Sequence, residues 1–357
     1  MTTLAQKLLS HDLWNISGNF GKYTADAFHS KNDLLEVNAS YTEDNNHVFH
    51  YTGLLENLSQ NALALNCLHA KFHLGSGEFE VYTQYNGWQN ENTGAWQPLV
   101  SEVRVSSDTI RTAYGAAPFM ALRNKQTGRG VVFHLVCDYA WSIGVKLVPQ
   151  NGEVAVAELE IGLNSENLFL DVPAGEKVPT PEVIFYEFTN QVDLDCAKLH
   201  KFCLANYKRK EMPVIYNTWL ANFDNINVDF VCAQIPKAAA IGCEYFVIDA
   251  GWFGKGNDWY SCRGDWKEQA SGKLQGKVFE ISEKVRHSGM KFGLWFEIES
   301  ANKKADAIQL HPEDYFTPNG NMYFLDFTNE QARQRILEVL SENIKKYQIE
   351  FIKFDFN

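Results

Sequence analysis

The period at which apolar residues recur changes once along this chain, near residue 210, and that change restricts the folds open to it. Before the change the period is two. Ala155, Ala157, Leu159, Ile161 and Leu163 alternate with Val156, Glu158, Glu160 and Gly162, as on a half-buried strand. Gly77–Tyr85 and Gly130–Cys137 are further strand candidates, and Gln89–Ala95 reads as a turn-rich interruption. Many short strands without helices between them predict an antiparallel β-sandwich over residues 1–192. Cys196, Leu199, Phe202 and Cys203 then fall at helical spacing, which predicts a connecting helix within 193–211.

From Met212 strands and helices alternate. Four apolar runs stand out, Pro213–Tyr216, Tyr245–Ile248, Lys291–Phe296 and Phe351–Phe356. Helices are predicted between them over Asp229–Ile241, which Pro236 should kink, and over Val278–Ser288. A third opens on a Thr328–Gln331 capping box and carries Ile336, Leu340 and Ile344 on one face. Repeated βα units predict a parallel sheet over 212–357, doubly wound or a barrel.

Composition narrows the partners. With 32 Lys and Arg against 44 Asp and Glu, the net charge is −12, which argues against nucleic acid or an anionic membrane as the main partner. No apolar run approaches the roughly 20 residues of a membrane span, and residues 1–7 lack the order of a signal peptide. Seven scattered cysteines without a CxxC pair predict reduced, mostly buried thiols, so the expectation is a soluble cytoplasmic protein. Aromatic residues make up 13% of the chain, which fits either large cores or stacking surfaces for sugar rings.

Both α/β architectures build their sites at the carboxyl ends of the strands. There the four runs are followed by Asn217-Thr-Trp219, Asp249-Ala-Gly-Trp252, Glu297-Ile-Glu299 after Trp295, and Asp355 after Lys353. Acids and tryptophans in one layer suit the holding and cleaving of a sugar. No GxGxxG or GxxxxGK[ST] occurs, which disfavours a nucleotide binder. Lys353 and Asp355 share a strand face, and a cation that close favours the carboxylate form. Spacing alone favours a plain strand-end ion pair, and the pair also fits a glycosidase nucleophile with its cation. Glu297 and Glu299 fit an acid partner, metal ligands, or a solvated barrel mouth; no histidine joins them, which disfavours a metal.

The blocks Asn217-Thr-Trp219, Phe246–Gly254, Gly264-Asp-Trp266, Gly289–Glu297 with Glu299, His311-Pro312, Leu325–Asn329 and Phe351–Asn357 occur in the order found in one family. Over residues 213–357 the chain resembles the catalytic domain of glycoside hydrolase family 36 α-galactosidases, and the preceding 200 residues resemble that family's β-supersandwich. The resemblance implies the first four βα units of a barrel. It implies hydrolysis of terminal α-linked galactose with retention, through a covalent glycosyl-enzyme, without cofactor or metal. It implies Asp355 as nucleophile and Lys353 as a sugar-binding lysine beside it. Asp249 matches a galactose-binding aspartate, and Trp219 and Trp295 match tryptophans walling the subsite. Trp252, Glu297 and Asn357 lie in matching segments as further substrate-binding or supporting residues. A homo-oligomer, commonly a tetramer, and imported oligosaccharides such as raffinose or melibiose follow from the same resemblance.

Three departures modify that expectation. Ala250 stands where the family has a second aspartate, which points to an altered glycone such as an α-linked galactosamine or N-acetylgalactosamine. Pro318–Met322 replaces a segment that usually carries an arginine. The chain ends at Asn357, whereas the family's acid/base lies further downstream and a βα-barrel takes about 250 residues. The expectation is therefore a fragment of a longer enzyme, or a chain completed by a second one. The alternative function is carbohydrate binding without hydrolysis.

Overall fold

The structure, a computed structural model, describes residues 7–8, 14–25, 28–87, 89–108, 114–136, 139–150, 153–166, 168–207, 211–317 and 323–355. The chain divides into two compact units, Met1–Arg209 and Lys210–Asn357.

The first unit is built from two antiparallel sheets. One has seven strands, with Leu63–Ser76 and Glu153–Leu163 at its centre; the other has nine, with Glu182–Thr189 and Arg129–Val136 at its centre. Period-two alternation decides which side chains enter the core. Ala157, Leu159 and Ile161 are fully buried, as are Tyr51, Phe72, Phe133 and Phe185 from other strands. Phe72 packs against Phe133 at a tilt and Phe185 edge-on, with ring centroids 5.0 and 5.4 Å apart. On the opposite face Glu160 is also buried, gathered by Lys146 at 3.4 Å and Lys71 at 3.6 Å.

Local expectations fail in instructive places. Gln89–Ala95 is not a turn: Asn90–Pro98 is a strand paired with Phe79–Gly87. It is an edge strand exposed along almost its whole length, so its polar residues imitate a loop. The connecting helix is two helices, Val192–Asp195 and Ala197–Asn206, while residues 208–210 lie outside the described set. Of the six described cysteines only Cys67 and Cys243 are buried; the other four are half-buried, and all six are free.

The second unit carries a parallel sheet of four strands, β1 (Ile215–Asn217), β2 (Tyr245–Ile248), β3 (Lys291–Phe296) and β4 (Phe351–Phe354), in that spatial order. The three long helices in their connections are α1 (Val228–Ala240), α2 (Val278–His287) and α3 (Glu330–Tyr347). Side chains of α1 to α3 and the buried strands form one core that includes Val231, Ile235, Phe246, Ile281, Phe292 and Leu294. Helix α1 is continuous across Pro236. Helix α3 is capped by Asn329, whose side chain accepts from the backbone of Gln331 and Ala332; the Thr328 hydroxyl instead donates to Asp326. Ile336 and Leu340 are buried as expected, but Ile344 is 36% exposed.

Candidate active site

The strand register assembles the site. Pairing of Asn217 with Val247, Ile248 with Leu294, and Trp295 with Lys353 brings four strand ends into one layer. Asp249, one residue past β2, is 2% exposed and engaged at both oxygens. Its Oδ2 accepts from Asn217 Nδ2 at 2.7 Å and from Lys353 Nζ at 2.9 Å, and its Oδ1 from the Ala250 N–H at 2.9 Å. Its own N–H donates to Thr218 Oγ1 at 3.0 Å. A buried carboxylate with this many donors is held in one orientation.

Lys353 also reaches Asp355, with Nζ 3.2 Å from Oδ2. The same oxygen accepts from the Trp295 indole N–H at 3.1 Å, and the Asp355 N–H donates to the Phe296 carbonyl at 3.0 Å. Burial alone would lower the Lys353 ammonium. The hydrogen bond and charge of Asp249, joined by those of Asp355, outweigh it and hold the group above its ordinary value. The lysine therefore stays charged between two carboxylates, one buried and one half-buried.

Four of the expected site residues thus meet in one network: Asp249, Trp295, Lys353 and Asp355. Trp219 lies next to it through Asn217, whose Oδ1 accepts the Trp219 N–H at 2.9 Å; its half-buried ring meets Phe223 edge-on. Trp295 does not offer a ring face. It is 1% exposed, packed against Trp259 and Trp266, and presents its indole N–H edge. Trp252 is not a substrate wall either, being 2% exposed and donating to the Trp295 carbonyl at 2.8 Å. Asn357 and the 318–322 segment lie outside the described residues.

Glu297 is 1% exposed and paired with Arg263, Nη1 to Oε1 3.2 Å, while Ser300 donates to the same oxygen. That is a buried ion pair supporting the rim, and neither a solvated mouth nor a metal ligand set. Glu299 differs: its Oε2 is shielded from water without a hydrogen-bond partner, and burial, with the charge of Asp355, raises its carboxyl. The Gly264-Asp265-Trp266 block is structural. Gly264 has φ +115°, and a Cβ there would meet Ala301 Cβ at 2.8 Å. Asp265 Oδ1 accepts the Ala307 N–H at 2.9 Å.

Sequence reasoning missed Asn217 as the link between Asp249 and the Trp219 turn, though it sits at the end of β1 beside the other strand-end residues. It also missed Arg263, a single arginine in an irregular segment with no periodic signal.

Comparisons with known proteins agree with this architecture. Residues 180–357 match the family model described as Melibiase. The chain is 31% identical over 297 residues to the bifunctional α-galactosidase/sucrose kinase AgaSK of Mediterraneibacter gnavus, covering 79% of this chain and 31% of that protein. It is 25% identical over 340 residues to α-galactosidase AgaA of Geobacillus stearothermophilus, covering 90% of this chain and 46% of that one. The chain thus spans less than half the length of these relatives. Among solved structures, the galactosidase domain of AgaSK superposes with a TM-score of 0.84 at 23% identity, covering 96% of this chain and 54% of that one. The Geobacillus stearothermophilus AgaA structure gives the same TM-score at 21% identity and the same coverages, so both share the fold. With its two-sheet sandwich, its three βα units followed by a fourth parallel strand, and the strand-end blocks in family order, the chain belongs to glycoside hydrolase family 36.

Proposed function

We propose that this chain carries the nucleophile and sugar-holding part of an enzyme that hydrolyses terminal α-galactosides with retention. The observation that carries the reading is the network in which Lys353 bridges Asp249 and Asp355 while the Trp295 N–H donates to Asp355. An ionised carboxylate held by two donors suits attack on an anomeric carbon, giving a covalent glycosyl-Asp355 that water then hydrolyses. The leaving oxygen needs a proton from a second carboxyl, which the family resemblance assigns downstream of Asn357. Relatives named α-galactosidases support the substrate class, as do structures of Geobacillus AgaA variants holding raffinose and stachyose.

Ala250 favours a variant glycone. Its buried position offers a methyl group where an acceptor for a sugar hydroxyl would otherwise stand, and Asp249 beside it is already engaged by its neighbours. A galactosamine derivative is the second reading.

The test uses the full-length protein containing this chain. Aryl α-galactosides and α-galactosaminides are compared, and Asp355→Asn is expected to lower kcat by about 10⁴-fold or more with sugar binding retained. Asp355→Gly with added azide should yield the β-glycosyl azide. Turnover retained in Asp355→Asn overturns the nucleophile assignment, and absence of any hydrolysis in the parent protein leaves carbohydrate binding as the function.

A further inference from the structure

The nine-stranded sheet of the first unit has a second buried layer on the face turned away from the sandwich core. Val132, Ile184, Tyr186 and Phe188 form it with Phe202 from helix Ala197–Asn206. The helices do not cover the whole face. Beside them lies a cavity of about 570 Å³, inside the roughly 300–1,000 Å³ range of small-molecule clefts.

The lining chemistry selects the ligand. Three aromatic rings, Tyr82, Phe119 and Tyr186, and three primary amides, Gln84, Asn86 and Asn92, surround it, together with His134. Among the described residues no lysine or arginine lines the cavity; Asp193 and His200, both exposed, stand at its helix side, and the carboxylate there disfavours an anion. His134 stands directly opposite Phe119 in the strand register, between that ring at 5.0 Å and Tyr186 at 6.0 Å. Its Nε2 is shielded from water and has no hydrogen-bond partner. An imidazole nitrogen left unpaired in an apolar setting carries a desolvation penalty that a ligand hydroxyl would relieve. Burial lowers this histidine to about 4, so near neutral pH it is an uncharged imidazole. Aromatic faces, amides and a buried neutral imidazole, with the exposed Asp193 and His200 only at the helix side, complement an uncharged ring with an apolar face and several hydroxyls, for which the carboxylate is a further acceptor.

We propose that this cavity is a second, non-catalytic carbohydrate site taking one pyranose ring of a neutral oligosaccharide. It lies wholly within the first unit and uses no residue of the strand-end network. The ring stacks on Phe119 and Tyr82, and one hydroxyl meets His134 Nε2 while the amides hold others. Binding here is independent of hydrolysis, so its failure and the failure of the proposed function are separable.

The experiment titrates raffinose into the full chain and follows the His134 imidazole in ¹⁵N–¹H correlation spectra. A saturable shift of the His134 resonances at millimolar raffinose is expected. It should persist in Asp249→Ala, which disrupts the strand-end network. In Phe119→Ala the apparent affinity at His134 should fall at least tenfold, and Gln84→Ala, at a half-buried position, provides a second variant should the first unfold. An unmoved His134 signal in the folded protein overturns the proposal, as does a shift that both folded variants leave unchanged.

Discussion

The two units use buried polar groups in different ways. In the sandwich the core between the sheets is hydrocarbon, and its aromatic rings pack on each other: Phe72, Phe133, Phe185 and Tyr51. In the βα unit, Trp252 and Trp295 are equally buried, but their N–H groups are directed at the strand ends. Trp252 donates to the Trp295 carbonyl, and Trp295 donates to Asp355. Buried aromatic side chains therefore serve as filler in one unit and as a chain of supports for a carboxylate in the other. A buried ring with no polar obligation can be repaired only by volume, whereas a buried ion can be repaired by removing its partner.

Two substitutions of similar size would break that comparison. Phe72→Ala empties a wholly buried position between two rings and should cost about 4 kcal/mol in denaturant unfolding of the first unit. Arg263→Met leaves Glu297 buried without its cation and should cost about 3–4 kcal/mol in the second. The difference lies in rescue. Adding Glu297→Leu to Arg263→Met should recover most of the loss, because the uncompensated charge is then gone. If the double variant is as unstable as the single one, the pair is packing in disguise, and the distinction between the units fails.

His134 sharpens the same contrast by titration. Its folded value, near 4, lies below the ordinary 6.5 because burial disfavours the charged ring. The unfolded chain therefore binds a proton that the folded chain refuses between these values. Stability from this group is fully present above pH 6.5 and is lost as pH falls towards 4, by up to about 3 kcal/mol. His134→Phe should flatten the stability profile across that window. An unchanged slope between pH 6.5 and 4 would show that the ring is not kept neutral by burial.

The fold was legible because both units obey simple periods. Alternation along Glu153–Leu163 and the strand-helix alternation after Met212 are direct consequences of which faces are buried. What escaped was set by exposure rather than period. The edge strand Asn90–Pro98 has solvent on both faces, so no alternation marks it. Asn329 took the cap of α3 because its side chain, rather than that of Thr328, reaches the first free N–H groups. At the site, chain position located the strand-end acids, and strand alternation put Lys353 and Asp355 on one side. It gave no information on the residues past the strand ends, where Glu297 turns to Arg263 and Trp252 turns into the core.

The smallest expected effect tests whether Trp252 acts on the site only through Trp295. Trp252→Phe keeps most of the buried ring against Phe253 and Phe296 but removes the donor to the Trp295 carbonyl. A buried carbonyl left without that partner should lower stability by about 1–2 kcal/mol. Trp252 supports the residue that supports Asp355, so under the proposed α-galactoside hydrolysis kcat should fall severalfold while KM stays within about twofold. A wall of the sugar subsite would behave in the opposite way, raising KM and leaving kcat nearly unchanged, because a uniform contact to the glycone would be lost. The KM-against-kcat split therefore separates a support built from below the strand ends from a contact made above them.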